Sequence, residues 1–241
     1  MLRSFRHQLA RKLGYRRIES RFQNVDAFEA QARLLGGRSV STIFDIGANI
    51  GQTARRYRER FPGATLYCFE PFPGAFEQLQ RNVGSDANLR ALPMAVADAP
   101  GTRTFHVNRE NFNHSLLGAA PEGTRWARIE HVGSIEVPCT SVDTFCAEQR
   151  IPEVQILKID AEGGDLLVLR GATTMLSTRR IGLVFVEALF VPMFAGQAYF
   201  HDLCRFLAEF GYRPYDLFDH RYAPSGQLRQ CNAIFAVPEP G

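Results

Sequence analysis

The feature that most constrains the fold is the alternation, from residue 40 onward, of short apolar segments with segments of helical periodicity. Residues 40–44 and 65–69 have the composition of strands, and the apolar residues between them recur at helical spacing up to a Pro62-Gly63 turn. This order corresponds to a strand–helix–strand unit. Because the same alternation continues along the chain, it predicts a doubly wound, mostly parallel α/β sheet.

The remaining predicted elements follow in the same way. Further strands are expected at residues 89–96, 156–159 and 183–186, with a closing pair at 212–218 and 231–237. Helices are expected at residues 25–35, 76–83, 142–149, 165–176 and 199–210. Residues 98–138 have a weaker pattern, with short β segments at 105–107 and 135–137, and we expect them to form a β/loop insertion between strands three and four.

Basic charge is concentrated at the N-terminal end. Residues 1–21 contain seven Lys or Arg residues and a single acidic residue, whereas the whole chain has a net charge of only +3. Apolar residues recur there at helical spacing, which predicts a basic amphipathic helix. Its alternative roles are packing on the domain, contact with an anionic membrane surface or acidic substrate, and a mitochondrial presequence. We assign residues 1–37 to this N-terminal helical segment and 38–241 to one domain.

Several classes of protein are disfavoured by composition. Nucleic-acid binding is not expected, since the rest of the chain has no second basic face. The longest apolar run, residues 181–195, is interrupted by Glu187 and Pro192 and is shorter than the roughly 20 residues of a membrane span. The five cysteines form no Cys-x-x-Cys pair, which indicates reduced thiols. We therefore expect a cytoplasmic protein, with membrane association through residues 1–21 as an alternative.

Acidic residues stand at the end of every predicted parallel strand. They are Asp45, Glu70, Asp98, the pair Asp160 and Glu162, and Glu187. In a doubly wound sheet the ligand lies at the carboxyl ends of the strands. Because unpaired buried carboxylates are costly, this arrangement indicates a cationic or hydroxyl-rich ligand.

The turn after strand one distinguishes between two nucleotide classes. A dinucleotide site would require Gly-x-Gly-x-x-Gly and a pyrophosphate at the helix start, where Asp45 would repel it. This chain has only Gly47 and Gly51 in the segment FDIGANIGQT. S-adenosylmethionine fits better, because it carries a sulfonium cation and no phosphate, and Glu70 is placed to accept hydrogen bonds from its ribose.

Five segments together resemble the FkbM-type family of S-adenosylmethionine-dependent methyltransferases. They are FDIGANIGQT, YCFEPFPGAFEQLQRNV, ALPMAVAD, SVDTFCAE and ILKIDAEGGDLLVLRGA. The resemblance covers about residues 40–190 and implies a class I methyltransferase (Rossmann-like) fold with an antiparallel last strand. It also implies O-methylation of a hydroxyl, often on a sugar, glycan or polyketide-type molecule.

Site residues are carried over position by position from this resemblance. It implies that the cofactor contacts Asp45, Gly47, Asn49, Gly51, Glu70, Pro71, Ala95, Val96, Asp98 and Asp160. Asp160 and Glu162 would face the methyl group and the acceptor.

A hydroxyl acceptor also needs a base to take its proton. His114 in the insertion is the first candidate, ahead of His106 and His131, and Glu187 is an alternative if burial raises its pKa. Asp160, Glu162 and Glu187 could also chelate a divalent cation, although a metal is not favoured. The alternative functions are a noncatalytic nucleotide-binding or scaffolding module of the same fold and an NAD-dependent oxidoreductase, the latter disfavoured by Asp45 and the missing third glycine.

Overall fold

The computed structural model of the protein describes residues 25–109, 113–127 and 129–238. The predicted basic helix of residues 1–21 lies outside these ranges, as does its predicted contact with an acidic surface. The boundary between residues 37 and 38 therefore stays a prediction. The helix expected at residues 25–35 is present as Ala27–Leu34, where Asp26 caps its start by accepting a hydrogen bond from the Glu29 N–H at 2.8 Å.

The strands form one large and one small sheet. In chain order they are β1 (Thr42–Ile46), β2 (Thr65–Phe69), β3 (Leu89–Leu92), β4 (Ala95–Val96), β5 (Gly101–Asn108), β6 (His131–Thr140), β7 (Val154–Ile159), β8 (Ile181–Leu189), β9 (Arg213–Tyr222) and β10 (Leu228–Ala236). The large sheet has the order β3-β2-β1-β7-β8-β10-β9. Its strands from β3 to β8 pair in parallel, whereas β10 is antiparallel to both neighbours. The predicted doubly wound sheet with an antiparallel last strand is confirmed.

Helices cover both faces of the large sheet. They are α1 (Ala27–Leu34), α2 (Gln52–Arg60), α3 (Pro73–Val83), α4 (Gly123–Ala127), α5 (Val142–Gln149), α6 (Asp165–Arg170), α7 (Thr173–Ser177) and α8 (Phe200–Glu209). One apolar core joins α1, α2 and α3 to the sheet, and a second joins α5 through α8 to the opposite face. The sheet is buried on both sides, which explains its continuous apolar strands.

The prediction of a single third strand at residues 89–96 was wrong. The chain leaves the large sheet after Leu92, and Ala95–Val96 instead pairs in parallel with Cys139 and Thr140 of β6. Pro93 lies at the break. Because proline has no N–H group to donate to a neighbouring strand, it favours a change of direction at this point.

The β/loop insertion is confirmed. β5 and β6 form an antiparallel pair in which Phe105 lies opposite Ile135, and β4 completes a three-stranded sheet in the order β4-β6-β5. Residues 113–120 lie between β5 and β6 in the chain. They contact the segment that follows β8, where Ala119 forms a bridge with Phe194.

The helix predicted over residues 165–176 is divided into α6 and α7. At Gly171 the chain passes so close to the end of β4 that a Cβ atom would lie 2.0 Å from the carbonyl oxygen of Ala97. The start of α7 is capped by the Asp143 carboxylate, which accepts hydrogen bonds from the N–H groups of Thr174 and Met175 at 2.7 and 3.0 Å. These tertiary contacts lie at the break, and the helical periodicity of the sequence does not reveal them.

Two expectations about the chain as a whole can be compared with the structure. All five cysteines are free thiols, four of them buried and Cys204 half-buried. Among the described residues, no helix combines the length and the apolar character needed to cross a membrane.

Candidate active site

A cleft opens at the carboxyl ends of the parallel strands. Its walls come from the ends of β1 and β2, from β4, from the loop after β7 and from the insertion. The predicted site residues that line it are Gly47, Asn49, Glu70, Pro71, Ala95, Val96, His114, Asp160 and Glu162. The structure therefore brings together residues that are more than 110 positions apart in the sequence.

Gly47 is required by the close approach of β1 and β7. Its φ is +71°, and a Cβ atom would lie 1.9 Å from the carbonyl oxygen of Asp160. A side chain at this position would therefore displace the loop after β7. The same turn is held from below by Lys158, whose ammonium donates to the Gly47 carbonyl oxygen at 2.9 Å.

Asp45 does not line this cleft. Its side chain is 0% exposed, and the Lys158 ammonium lies 2.8 Å from its Oδ1. The two residues are register partners on β1 and β7, so their side chains leave the sheet on the same face. Burial raises the pKa of Asp45, whereas Lys158 opposes that shift. Burial also lowers the pKa of Lys158, but the carboxylates of Asp45 and Asp160 outweigh it and hold that pKa above its ordinary value.

Glu70 lies at the end of β2, and each oxygen of its carboxylate accepts one hydrogen bond from a backbone N–H group. Oε2 accepts the Asn49 N–H at 2.8 Å, and Oε1 accepts the Phe72 N–H at 2.8 Å. Burial raises the pKa of Glu70, although these two bonds favour the ionised form. Each oxygen has a second lone pair, so the carboxylate can accept two further hydrogen bonds from a ligand in the cleft.

Two other residues predicted to contact the cofactor lie away from the cleft lining. Gly51, with φ +91°, precedes the first residue of α2, and a Cβ atom there would lie 3.0 Å from the side chain of Leu79. Asp98, two residues after β4, is exposed and forms an ion pair with Arg103 at 2.6 Å. Gly51 shapes the turn, and Asp98 has a partner of its own.

Three carboxylates form a cluster beside the cleft. One oxygen each from Asp160, Glu162 and Glu187 lies within 4.8 Å of the others. Burial, reinforced by the neighbouring carboxylates, raises the pKa of Glu162 above its ordinary value and that of Glu187 to about 8. Such a cluster could hold a proton or a divalent cation. The backbone of Glu162 is in the left-handed region, with φ +47°.

His114 lines the cleft from the insertion, but its hydrogen bonding does not fit the predicted role of general base. Its Nδ1 lies 3.1 Å from the backbone nitrogen of Asn108 and accepts that N–H group. The proton of the neutral ring is therefore on Nε2. Burial lowers the pKa of His114, so the neutral ring is favoured. The histidine presents a donor to the cleft, and its lone pair is already in use.

Several residues that shape the site were not predicted from the sequence. Phe69, Met94, Phe105 and Leu116 form apolar walls of the cleft, and Lys158 neutralises Asp45 beneath it. The signal for Lys158 was present in the sequence, because a lysine inside the apolar strand ILKI must be paired when it is buried. Phe105 and Leu116 lie in the insertion, whose path over the cleft has no local sequence signal.

A second cleft adjoins the first, and Asp160 lines both. Its walls combine Gln52 and Thr53 at the start of α2 with the rings of Phe28 and Phe185 and with Asp219 and Asn232. The Asn232 amide donates to the Asp219 carboxylate at 2.9 Å. The second cleft therefore offers hydrogen-bonding groups beside aromatic surfaces.

Residues 45–214 match the family described as "Methyltransferase FkbM domain". The chain is 27% identical over 164 residues to the 2-O-methyltransferase NoeI of Sinorhizobium fredii. The aligned region covers 64% of this chain and 66% of the relative. The chain is 25% identical over 147 residues to the hexuronic acid methyltransferase AglP of Haloferax volcanii, which covers 61% of this chain and 56% of the relative. The matches thus span less than two thirds of either relative's length.

A solved structure with a similar fold is the precorrin-6y C5,15-methyltransferase of Geobacter metallireducens. The two chains are 13% identical in sequence, and their superposition has a TM-score of 0.46. The aligned region covers 92% of this chain and 93% of the solved one.

Proposed function

Because the chain belongs to the FkbM-type methyltransferase family, we propose that it transfers the methyl group of S-adenosylmethionine to a hydroxyl group of a sugar, glycan or polyketide-type small molecule. The match of residues 45–214 includes every residue that lines the cleft, and it supports the cofactor at this position. The acceptor and the full reaction are part of this proposal.

The observation that carries the proposal is the state of Glu70. Its buried carboxylate lies in the cleft wall with two free lone pairs, which suit the paired hydroxyl groups of a ribose. Gly47 allows the backbone of Asp160 to approach β1 closely, which brings Asp160 to the same cleft as Glu70. A pyrophosphate at the turn after β1 would be repelled by Asp160, and the turn lacks the third glycine of a dinucleotide site, so the residues fit S-adenosylmethionine better than a dinucleotide.

S-adenosylmethionine supplies an electrophilic methyl group when it is bound. The protein must then align the acceptor oxygen and take its proton. The cluster of Asp160, Glu162 and Glu187 is suited to the proton, because a carboxylate whose pKa lies near neutrality is an effective general base. We therefore assign the base to the Glu162 and Glu187 pair and not to His114.

The second cleft is the proposed acceptor side. It shares Asp160 with the cofactor cleft and combines Asp219 and Asn232 with the rings of Phe28 and Phe185. Hydroxyl groups of a sugar match these polar side chains. The names of the two relatives, a 2-O-methyltransferase and a hexuronic acid methyltransferase, support a sugar acceptor.

Calorimetric titration tests the cofactor assignment. We expect the wild-type protein to bind S-adenosylmethionine and not NAD. In Glu70→Gln, an amide NH₂ would face the N–H group of Asn49 or Phe72 and the negative charge would be lost. Affinity should therefore fall by about 10- to 100-fold. Glu77→Gln, at an exposed position of α3, is the control and should bind normally.

No heat with S-adenosylmethionine, or unchanged affinity of Glu70→Gln, would contradict the cofactor assignment. The acceptor is then sought with a library of sugars, glycans and polyketide alcohols, monitored by the mass gain of one methyl group. Cofactor binding without transfer to any alcohol in such a library would favour the noncatalytic module of the same fold.

A further inference from the structure

His114 occupies a position in the cofactor cleft that the proposed chemistry does not use. Only 9% of the residue is exposed, and its ring centroid lies 4.1 Å from that of Phe72 and 6.4 Å from that of Phe105. Phe72 in turn donates its backbone N–H to Glu70. His114 therefore lies on the apolar side of the cleft, next to the carboxylate assigned to the ribose.

The hydrogen bond from the Asn108 N–H to Nδ1 fixes which atom His114 offers. A proton on Nδ1 would place two N–H groups opposite each other at 3.1 Å, so the ring holds its single proton on Nε2. Nε2 is buried and has no hydrogen-bond partner among the described residues. A buried donor without a partner is unfavourable, and its position on a ligand cleft indicates that a ligand satisfies it.

The chemistry of the ligand part follows from this donor and its surroundings. Glu70 can accept hydrogen bonds from ribose hydroxyl groups. The Nε2–H group of His114 is a donor, so the part of the ligand that it contacts must supply a hydrogen-bond acceptor. The lining of the same cleft includes Met94, Phe105 and Leu116, which suit a flat apolar ring. An adenine ring has both properties, since its faces are apolar and its ring nitrogens accept hydrogen bonds.

We propose that His114 is a positioning residue for the adenine ring of the cofactor, and that its Nε2–H group donates a hydrogen bond to one of the adenine ring nitrogens. This inference rests on the proposed function, because it requires the adenosine moiety to occupy the cleft. It gives the insertion a role in holding the cofactor, separate from proton transfer to the carboxylate cluster.

The test measures binding of S-adenosylhomocysteine by calorimetry, which needs no acceptor. His114→Phe keeps a ring but lacks the donor, and its affinity should fall about 3- to 10-fold. His106→Phe, on β5 and outside the cleft lining, is the matched control and should bind as the wild type does. Circular dichroism checks that each variant folds, and His114→Leu replaces His114→Phe if the latter does not.

Three analogues of S-adenosylhomocysteine, in which a C–H group replaces N1, N3 or N7 of adenine, identify the bond. One of them should bind the wild type about 3- to 10-fold more weakly than the parent compound, and that loss should disappear in the His114 variant. A merely structural role would weaken all four compounds equally. Unchanged parent affinity in the variant, or equal losses for every analogue, would overturn the proposal. Failure of the wild type to bind S-adenosylhomocysteine would instead contradict the proposed function.

Discussion

At the scale of single residues, Lys158 is the link between the core and the site. Its ammonium lies 2.8 Å from the buried Asp45 carboxylate and donates to the carbonyl oxygen of Gly47 at 2.9 Å and to that of Ile46 at 3.3 Å. One cation thus neutralises a carboxylate that has no access to water and also holds the turn under the cofactor cleft. We expect its removal to affect both.

Lys158→Met should destabilise the protein by about 3 to 5 kcal/mol, because it leaves the Asp45 charge buried without a partner. The double variant Asp45→Asn/Lys158→Met removes both charges and should recover a large part of that loss. Urea unfolding measures both values. Arg81→Met, at a position where the side chain is 67% exposed, is the control and should change stability little. A loss below about 1 kcal/mol in the single variant would mean that the pair is not coupled.

Because ligands bind at strand ends, the sequence predicted many of the residues that line the cleft. It did not predict which of the charged residues pair with one another. Gly47, Glu70, Asp160 and Glu162 do line one cleft, as the sequence indicates. Asp45 was expected to face the ligand, but it pairs with a lysine 113 residues away. That pairing depends on the register between β1 and β7, which no local pattern in either strand specifies.

At the scale of secondary structure, the errors of sequence analysis occur where tertiary contacts override local periodicity. The segments at residues 65–69 and 142–149 match β2 and α5, since local composition and capping agree with the fold there. Residues 165–176 have a continuous helical pattern, yet the helix is interrupted at Gly171, where the backbone of Ala97 lies against the chain. A contact of this kind is visible only after the fold is known.

Gly171→Ala tests whether that contact sets the break. A Cβ atom there would lie 2.0 Å from the Ala97 carbonyl oxygen and 2.9 Å from the Ser141 side chain. We expect a loss of about 1 to 3 kcal/mol, because packed backbone must move to make room. Gly133→Ala is the matched control, since nothing lies within 4 Å of its added methyl group. Thermal or urea unfolding compares the two, and equal stabilities would show that β4 and α6 separate without strain.

At the scale of the whole molecule, the carboxylates gathered at one edge of the sheet give the fold a distinctive dependence on pH. Burial is the first cause of raised pKa values in Glu162, in Glu187 at about 8 and in Asp165 at about 7. These groups keep their protons in the folded state at pH values where the unfolded chain has already lost them. Their contribution to stability is therefore present below the unfolded pKa, at about pH 4, and is lost as the pH rises toward 8.

Glu187→Gln removes one of these groups and keeps an oxygen for the hydrogen bond that Gln230 donates to it. One pKa unit corresponds to about 1.4 kcal/mol of unfolding free energy. The difference in unfolding free energy between the variant and the wild type should therefore be more favourable to the variant at pH 8 than at pH 5, by on the order of 2 kcal/mol. Urea unfolding at the two pH values measures this difference. Glu122→Gln, on the exposed surface of the insertion, is the control and should change the free energy of unfolding by the same small amount at both pH values. A pH-independent gain for Glu187→Gln would mean that the pKa of Glu187 is not raised in the folded protein, and the argument from a pKa near neutrality would then no longer favour Glu187 as the general base.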